Sequence, residues 1–240
     1  MIKNLYDEIA KRWYREGGTI WFYSDPHFND PESAHFRKNY PGDDEQVRRI
    51  NSKVGKNDTI VFLGDIGDVS YIKKIKGYKV LILGNHDKGE TYYKRTITET
   101  FSSEDVPTKE LANLKKSLDA KDTSEFVRLS GDIYGKYSKT EDNRLFDEVY
   151  KGCLIISDKI ILSHEPIKFE FAFNIHGHDH GMAEGYNDEG HFNCCAEHIG
   201  YYPVCIKEII NSGKLKDIPD IHRTTIDNAI IRKNKREKKD

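Results

Sequence analysis

Nine side chains able to bind metal stand at five points of this sequence. They are Asp25 and His27; Asp65; Asn85 and His86; His164; and His176, His178 and His180. Carboxylates and imidazoles in this mixture suit divalent first-row metals better than Ca2+ or an all-thiolate zinc site. In extended backbone, residues i and i+2 face the same way, so Asp25 and His27 can hold one ion together. Members of the 176/178/180 set can do the same. Nine donors exceed what one ion accepts, whereas two ions sharing a carboxylate accommodate them. Asp65, alone between Gly64 and Ile66, is the natural bridge. Two ions ~3.5–4 Å apart yield hydroxide from a bridging water and stabilise charge on a phosphate ester as it breaks. The leaving group still needs a positioned non-ligand, and His86 is the candidate.

Most of these residues follow a short apolar run, and the clearest is Leu81-Ile82-Leu83 ahead of Gly84-Asn85-His86-Asp87. Runs of that length bounded by Gly read as buried strands, whose ends are where α/β sheets place ligands. Strands are expected over 19–24, 59–63 and 81–83. Helices are expected over 4–16, 43–54 and 69–76, the second with Asp43 as cap, Gln46 in a capping-box position and Val47, Ile50 and Val54 buried. This alternation predicts parallel βαβ units. Further on, 153–156 and 160–163 read as a hairpin, and 191–195 and 204–209 as strands.

Residues 88–145 break the rhythm with Lys, Glu, Asp, Ser and Thr. Helical spacing over 109–120 and a shorter piece around 124–129 predict a helical insert, which begins directly after the site motif and is expected to act as a lid. The tail from 224 carries a short amphipathic helix, and the basic run 232–240 is expected to fray.

The formal charge of −2 argues against a protein held to nucleic acid by bulk electrostatics. No segment approaches the ~18 apolar residues of a membrane helix, and no signal-like apolar core is present near the N-terminus, so a cytoplasmic protein is expected. The four cysteines form no C-x-x-C pair and are expected to be buried, reduced thiols. Arg37 is expected on a solvated helix face.

The ordered set Asp25-Pro26-His27, Gly64-Asp65, Gly84-Asn85-His86-Asp87, His164 and Gly177-His178-Asp179-His180 resembles the calcineurin-like metallophosphoesterase superfamily. The resemblance covers about 19–87 and 150–210. It implies an α/β fold, a four-layer αββα sandwich of two mixed sheets flanked by helices, in place of a simple parallel sheet. It implies one metal on Asp25, His27, Asp65 and His180, and a second on Asp65, Asn85, His164 and His178. His86 is then the non-ligand acting on the leaving group, Asp87 orients it, and His176 stands behind the ligands. Two divalent ions are the implied cofactors, with Mn2+ the expected ion and Fe, Ni2+ and Zn2+ open. The expected function is hydrolysis of a small phosphate mono- or diester. A nucleic-acid-end phosphatase or nuclease, and a non-catalytic scaffold of the same fold, are the alternatives.

Overall fold

The computed structural model describes residues 7–88, 96–102, 124–129, 132–140, 145–181, 188–219 and 221–237. The chain forms two compact units. Met1–Glu90 joins Leu145–Asp240 in the first, and Thr91–Arg144 is the second.

The first unit holds two mixed sheets. One has strands β1 (Ile20–Tyr23), β2 (Thr59–Phe62), β3 (Tyr78–Ile82), β7 (Glu148–Tyr150) and β12 (Val204–Cys205), in the order β12-β1-β2-β3-β7. All its neighbours run parallel except β12 against β1. The other has β8 (Leu154–Ile155), β9 (Ile160–Leu162), β10 (Phe173–His176) and β11 (His191–Asn193), ordered β11-β10-β9-β8, with only the β8–β9 hairpin antiparallel.

Period-two alternation sends one set of side chains between the sheets. Ile20 and Phe22, Val61, and Val80 and Ile82 meet Ile160 and Leu162, and Phe173 and Ile175, in one buried cluster. Each such side chain contributes roughly 1.5–3 kcal/mol on burial. The strands of the first sheet are buried on the other face too, through Tyr23, Ile60, Phe62 and Leu81. The helix Asp43–Lys53 buries Val47 and Ile50, and Tyr23 donates its hydroxyl hydrogen to Gln46 Oε1 on it. With both faces covered, parallel strands take the continuous apolar runs seen in the sequence. A parallel bridge between Ser24 and Cys195 ties the end of β1 to the segment after β11. Among the described residues, no helix is long and apolar enough to cross a membrane.

The second unit holds a three-stranded antiparallel sheet of β4 (Thr96–Ser102), β5 (Ser124–Leu129) and β6 (Asp132–Thr140), in the order β4-β6-β5. This corrects the helical piece expected at 124–129. Every residue from Ser124 to Leu129 pairs antiparallel with β6, from Tyr137 back to Asp132, and such tertiary pairing overrides weak helical spacing. The helix expected over 109–120 lies outside the described residues.

Other local expectations also change. Gly42, not Asp43, is the N-cap of the helix Asp43–Lys53, and no side chain caps it. Gln46 is buried and donates to Pro26 O (3.2 Å) instead of completing a capping box. The strand expected over 204–209 turns helical at Ile206, because Glu208 Oε2 accepts from the Cys205 N–H (3.0 Å) and closes a capping box. Ile206 and Ile209, three apart, are then buried on one side. The C-terminal helix Ile221–Glu237 continues through most of the basic run expected to fray. Cys153 is exposed, while Cys194, Cys195 and Cys205 are buried.

Candidate metal centre

The parallel strands β1, β2, β3, β9 and β10 all end beside the candidate site. Their carboxyl ends deliver Asp25, Asp65, Asn85, His164 and the 176–180 segment respectively. Tight turns follow immediately. Asp25, His27, Asp65 and His178 hold positive φ of 54°, 42°, 53° and 66°. Each costs on the order of 1–3 kcal/mol for a non-glycine residue and persists only where the surroundings enforce it.

Two groups of donors converge. Asp25, His27 and His180 form one, and Asp65, His164 and His178 form the other, each with ligand atoms within 4.8 Å of one another. In the first, His180 Nε2 is 3.2 Å from Asp25 Oδ1 and 3.1 Å from His27 Nε2. In the second, Asn85 Oδ1 lies 2.8 Å from His164 Nε2 and 3.0 Å from His178 Nδ1. Asp65 faces both: its Oδ2 is 3.4 Å from His164 Nε2 and 3.7 Å from His27 Nε2. Its Oδ1 accepts the His86 backbone N–H at 2.9 Å, which fixes the carboxylate's rotation.

The ring orientations follow from partners behind the clusters. His164 Nδ1 is 2.7 Å from the Leu63 carbonyl, which can only accept, so Nδ1 carries the proton and Nε2 faces Asp65. His180 Nδ1 donates to Glu197 Oε1 at 2.7 Å, leaving Nε2 toward Asp25. Such outer partners set the tautomer that a metal-binding imidazole presents. His27 Nδ1 lies 3.4 Å from Asp30 Oδ2.

Fit to a cation is visible at the buried Asp25 carboxylate. Asp25 Oδ2 receives the His178 N–H (2.9 Å), Cys195 Sγ–H (3.3 Å) and Ser24 Oγ–H. Its Oδ1 is buried and faces the His180 imidazole at 3.2 Å without a well-aligned donor, a position that a cation would satisfy. Burial alone would raise the Asp25 carboxyl, yet the hydrogen bond from His180 and the charges of His164 and His180 hold it well below the usual carboxylate range. Burial likewise opposes charge on His164, but Asp65 and Asp25 push it up to about 9. His180 is pushed up to about 10, against burial, by Asp25 and Glu197. Burial keeps His27 below its ordinary value. The buried carboxylates therefore stay ionised. The residues fit a pair of divalent ions.

The glycines of the motifs have a steric reason. A Cβ on Gly177 would sit 1.9 Å from Ser24 Oγ and 2.2 Å from Asp25 Oδ2. On Gly64, with φ of 105°, it would lie 2.4 Å from His164 Nδ1.

His86 is exposed and packs edge-on to His27, with ring centroids 5.6 Å apart. The Asp87 carboxylate accepts the N–H groups of Gly84 (2.8 Å), Asp65 (3.0 Å) and Ile66 (3.1 Å), so it clamps two strand-end turns together. His176 is buried, with Nδ1 2.8 Å from Gly177 O and its ring edge-on to His191. Arg37, expected on a solvated face, is 5% exposed. It donates to Pro26 O at 2.7 Å and lies over the Tyr40 ring.

Sequence reasoning missed Glu197 and Asn193, and His198 joins them at the site. Asn193 Nδ2 and His198 Nε2 both donate to Asp179 O, at 2.8 and 2.9 Å, and hold the loop between His178 and His180. None of the three follows a ligand-bearing strand end, so no spacing signal marks them.

A family profile for calcineurin-like phosphoesterases matches residues 18–187, more than half of the chain. The chain belongs to the calcineurin-like phosphoesterase family. That match spans every strand end that supplies the two donor groups of this calcineurin-like phosphoesterase. Its fold is also similar to the crystal structure of a protein of unknown function from Aquifex aeolicus, at 22% identity and a TM-score of 0.50, over 81% of this chain and 98% of that one. No curated protein matches the chain.

Proposed function

We propose that this protein hydrolyses a small phosphate mono- or diester with two divalent metal ions, Mn2+ being the expected pair. The observation that carries the proposal is the Asp65 carboxylate, one oxygen of which faces both donor groups. In this reading Asp25, His27, Asp65 and His180 hold one ion, and Asp65, Asn85, His164 and His178 hold the other. When bound, the ions supply Lewis acidity toward the phosphoryl group and lower the pKa of the attacking water.

The remaining work falls to the chain itself. Asp65, fixed through its Oδ1, sets the spacing between the two halves of the site. His86, exposed at the rim beside His27, is placed to protonate the departing oxygen or to stabilise charge as it develops. Asp87 keeps the Gly84 and Asp65 turns in register, which supports His86 through the backbone. The small-ester preference is supported by the formal charge of −2, which gives no bulk attraction for a polynucleotide.

Metal analysis of the purified protein, followed by a panel of mono- and diesters with each metal added back, tests this reading. Asp65→Ala is expected to lose metal and turnover together. His86→Ala is expected to keep metal and lose turnover by ~100-fold or more, the scale of a general acid. Full activity in Asp65→Ala sinks the scheme.

A further inference from the structure

A cleft of ≈ 310 Å3 opens beside the second donor group. Its walls come from the end of β3 (Leu83 and Asn85), the turn before β8 (Cys153), and the segment after β9 (His164, Glu165 and Ile167). Asn85 and His164 thus belong to both the cleft and the donor group. A phosphoryl group held there has its organic substituent within reach of the cleft.

The lining has a definite chemistry. Leu83, Cys153 and Ile167 offer carbon and sulfur surface, which gains from covering an apolar group. Glu165 adds an exposed carboxylate, and among the described residues no lysine or arginine lines the cleft. A carboxylate accepts hydrogen bonds from hydroxyl or amino groups and repels a second phosphate. The volume lies at the lower end of the roughly 300–1,000 Å3 of small-molecule sites.

We infer that this cleft receives the uncharged organic group of the phosphoester, up to about nucleoside size, and selects against substrates carrying a further phosphate there. The inference rests on the phosphoesterase reading of the two donor groups. It makes Cys153 and Glu165 specificity-determining residues, outside the metal-binding set.

Cys153 also provides a readout independent of turnover, since it is the exposed one of four free thiols. In the Mn2+-loaded protein, N-ethylmaleimide is expected to label Cys153, as followed by mass spectrometry of the digested chain. Phenylphosphonate is expected to slow that labelling several-fold, and inorganic phosphate, which has no organic group, to leave it unchanged. Cys153→Trp is expected to lower kcat/KM for phenyl phosphate and a nucleoside monophosphate roughly tenfold or more, the scale of a filled pocket. Methyl phosphate turnover and metal content should hold. Glu165→Lys is expected to improve turnover of a nucleoside 3′,5′-bisphosphate relative to the 5′-monophosphate.

Equal protection by phosphate and phenylphosphonate, or equal losses on phenyl and methyl phosphate in Cys153→Trp, overturns the cleft assignment. A wild-type protein that hydrolyses no ester with any metal overturns the phosphoesterase reading instead, and the protection experiment still decides the cleft.

Discussion

Glu197 Oε1 stands 2.7 Å from His180 Nδ1, on the side of the imidazole away from Asp25. The carboxylate is almost fully buried, at 4% side-chain exposure, and so holds its partner in one tautomer. Removing its charge while keeping its shape is the informative change. Glu197→Gln is expected to weaken metal binding about 10–100-fold, the usual cost of losing an outer partner. Calorimetric titration with Mn2+ measures it, and unchanged affinity would detach Glu197 from the site.

Gly177 sits where any side chain must strike Ser24 and Asp25. Gly177→Ala is expected to destabilise the fold by about 1–3 kcal/mol, as overpacking does, and to displace the Asp25 carboxylate. Thermal unfolding with and without added metal separates the two effects. The stabilisation that metal gives the wild type should shrink in the variant.

Away from the site, Glu148 accepts from Tyr78 (2.8 Å), Arg12 (2.7 Å), Trp13 (3.3 Å) and Tyr150. Burial would raise its pKa, but these donors hold it below the ordinary value. A depressed folded pKa contributes stability that is complete above the unfolded value, about 4.3, and is lost as pH falls through the folded one. Glu148→Gln should therefore cost about 2 kcal/mol at pH 7, the scale of charge-assisted bonds. The difference from wild type should narrow in acid. Urea denaturation at pH 7 and below about pH 4 reads both quantities, and a gap that stays constant with pH would assign the cost to packing.

The insert leaves the chain directly after Gly84-Asn85-His86-Asp87 and forms a unit of its own, Thr91–Arg144. Replacing that unit by a short Gly/Ser linker is expected to change KM and the ranking of substrates while metal content stays at the wild-type level. Identical kinetics across a mono- and diester panel would remove any role in selection.

The sequence by itself determined the donors and the strands that carry them. Short apolar runs ending in Gly-Asp, Gly-Asn-His-Asp and Gly-His-x-His are local signals, because strand burial and the turn after it depend on neighbours in the chain. The apolar runs that carry Ile20 and Phe22, or Leu81 and Ile82, were legible for the same reason. Tertiary structure decided what depends on distant partners. The strand at Ser124–Leu129 exists through pairing with Asp132–Thr140, and the helix at Ile206–Asn211 through a cap from Glu208. Arg37 is buried because Pro26 and Tyr40 meet it. Glu197 reaches His180 only because the segment after β11 is bridged to the end of β1 at Ser24. The candidate donors are written along the chain, whereas the tautomer, the carboxylate rotation and the cleft beside them arise where separate strand ends converge.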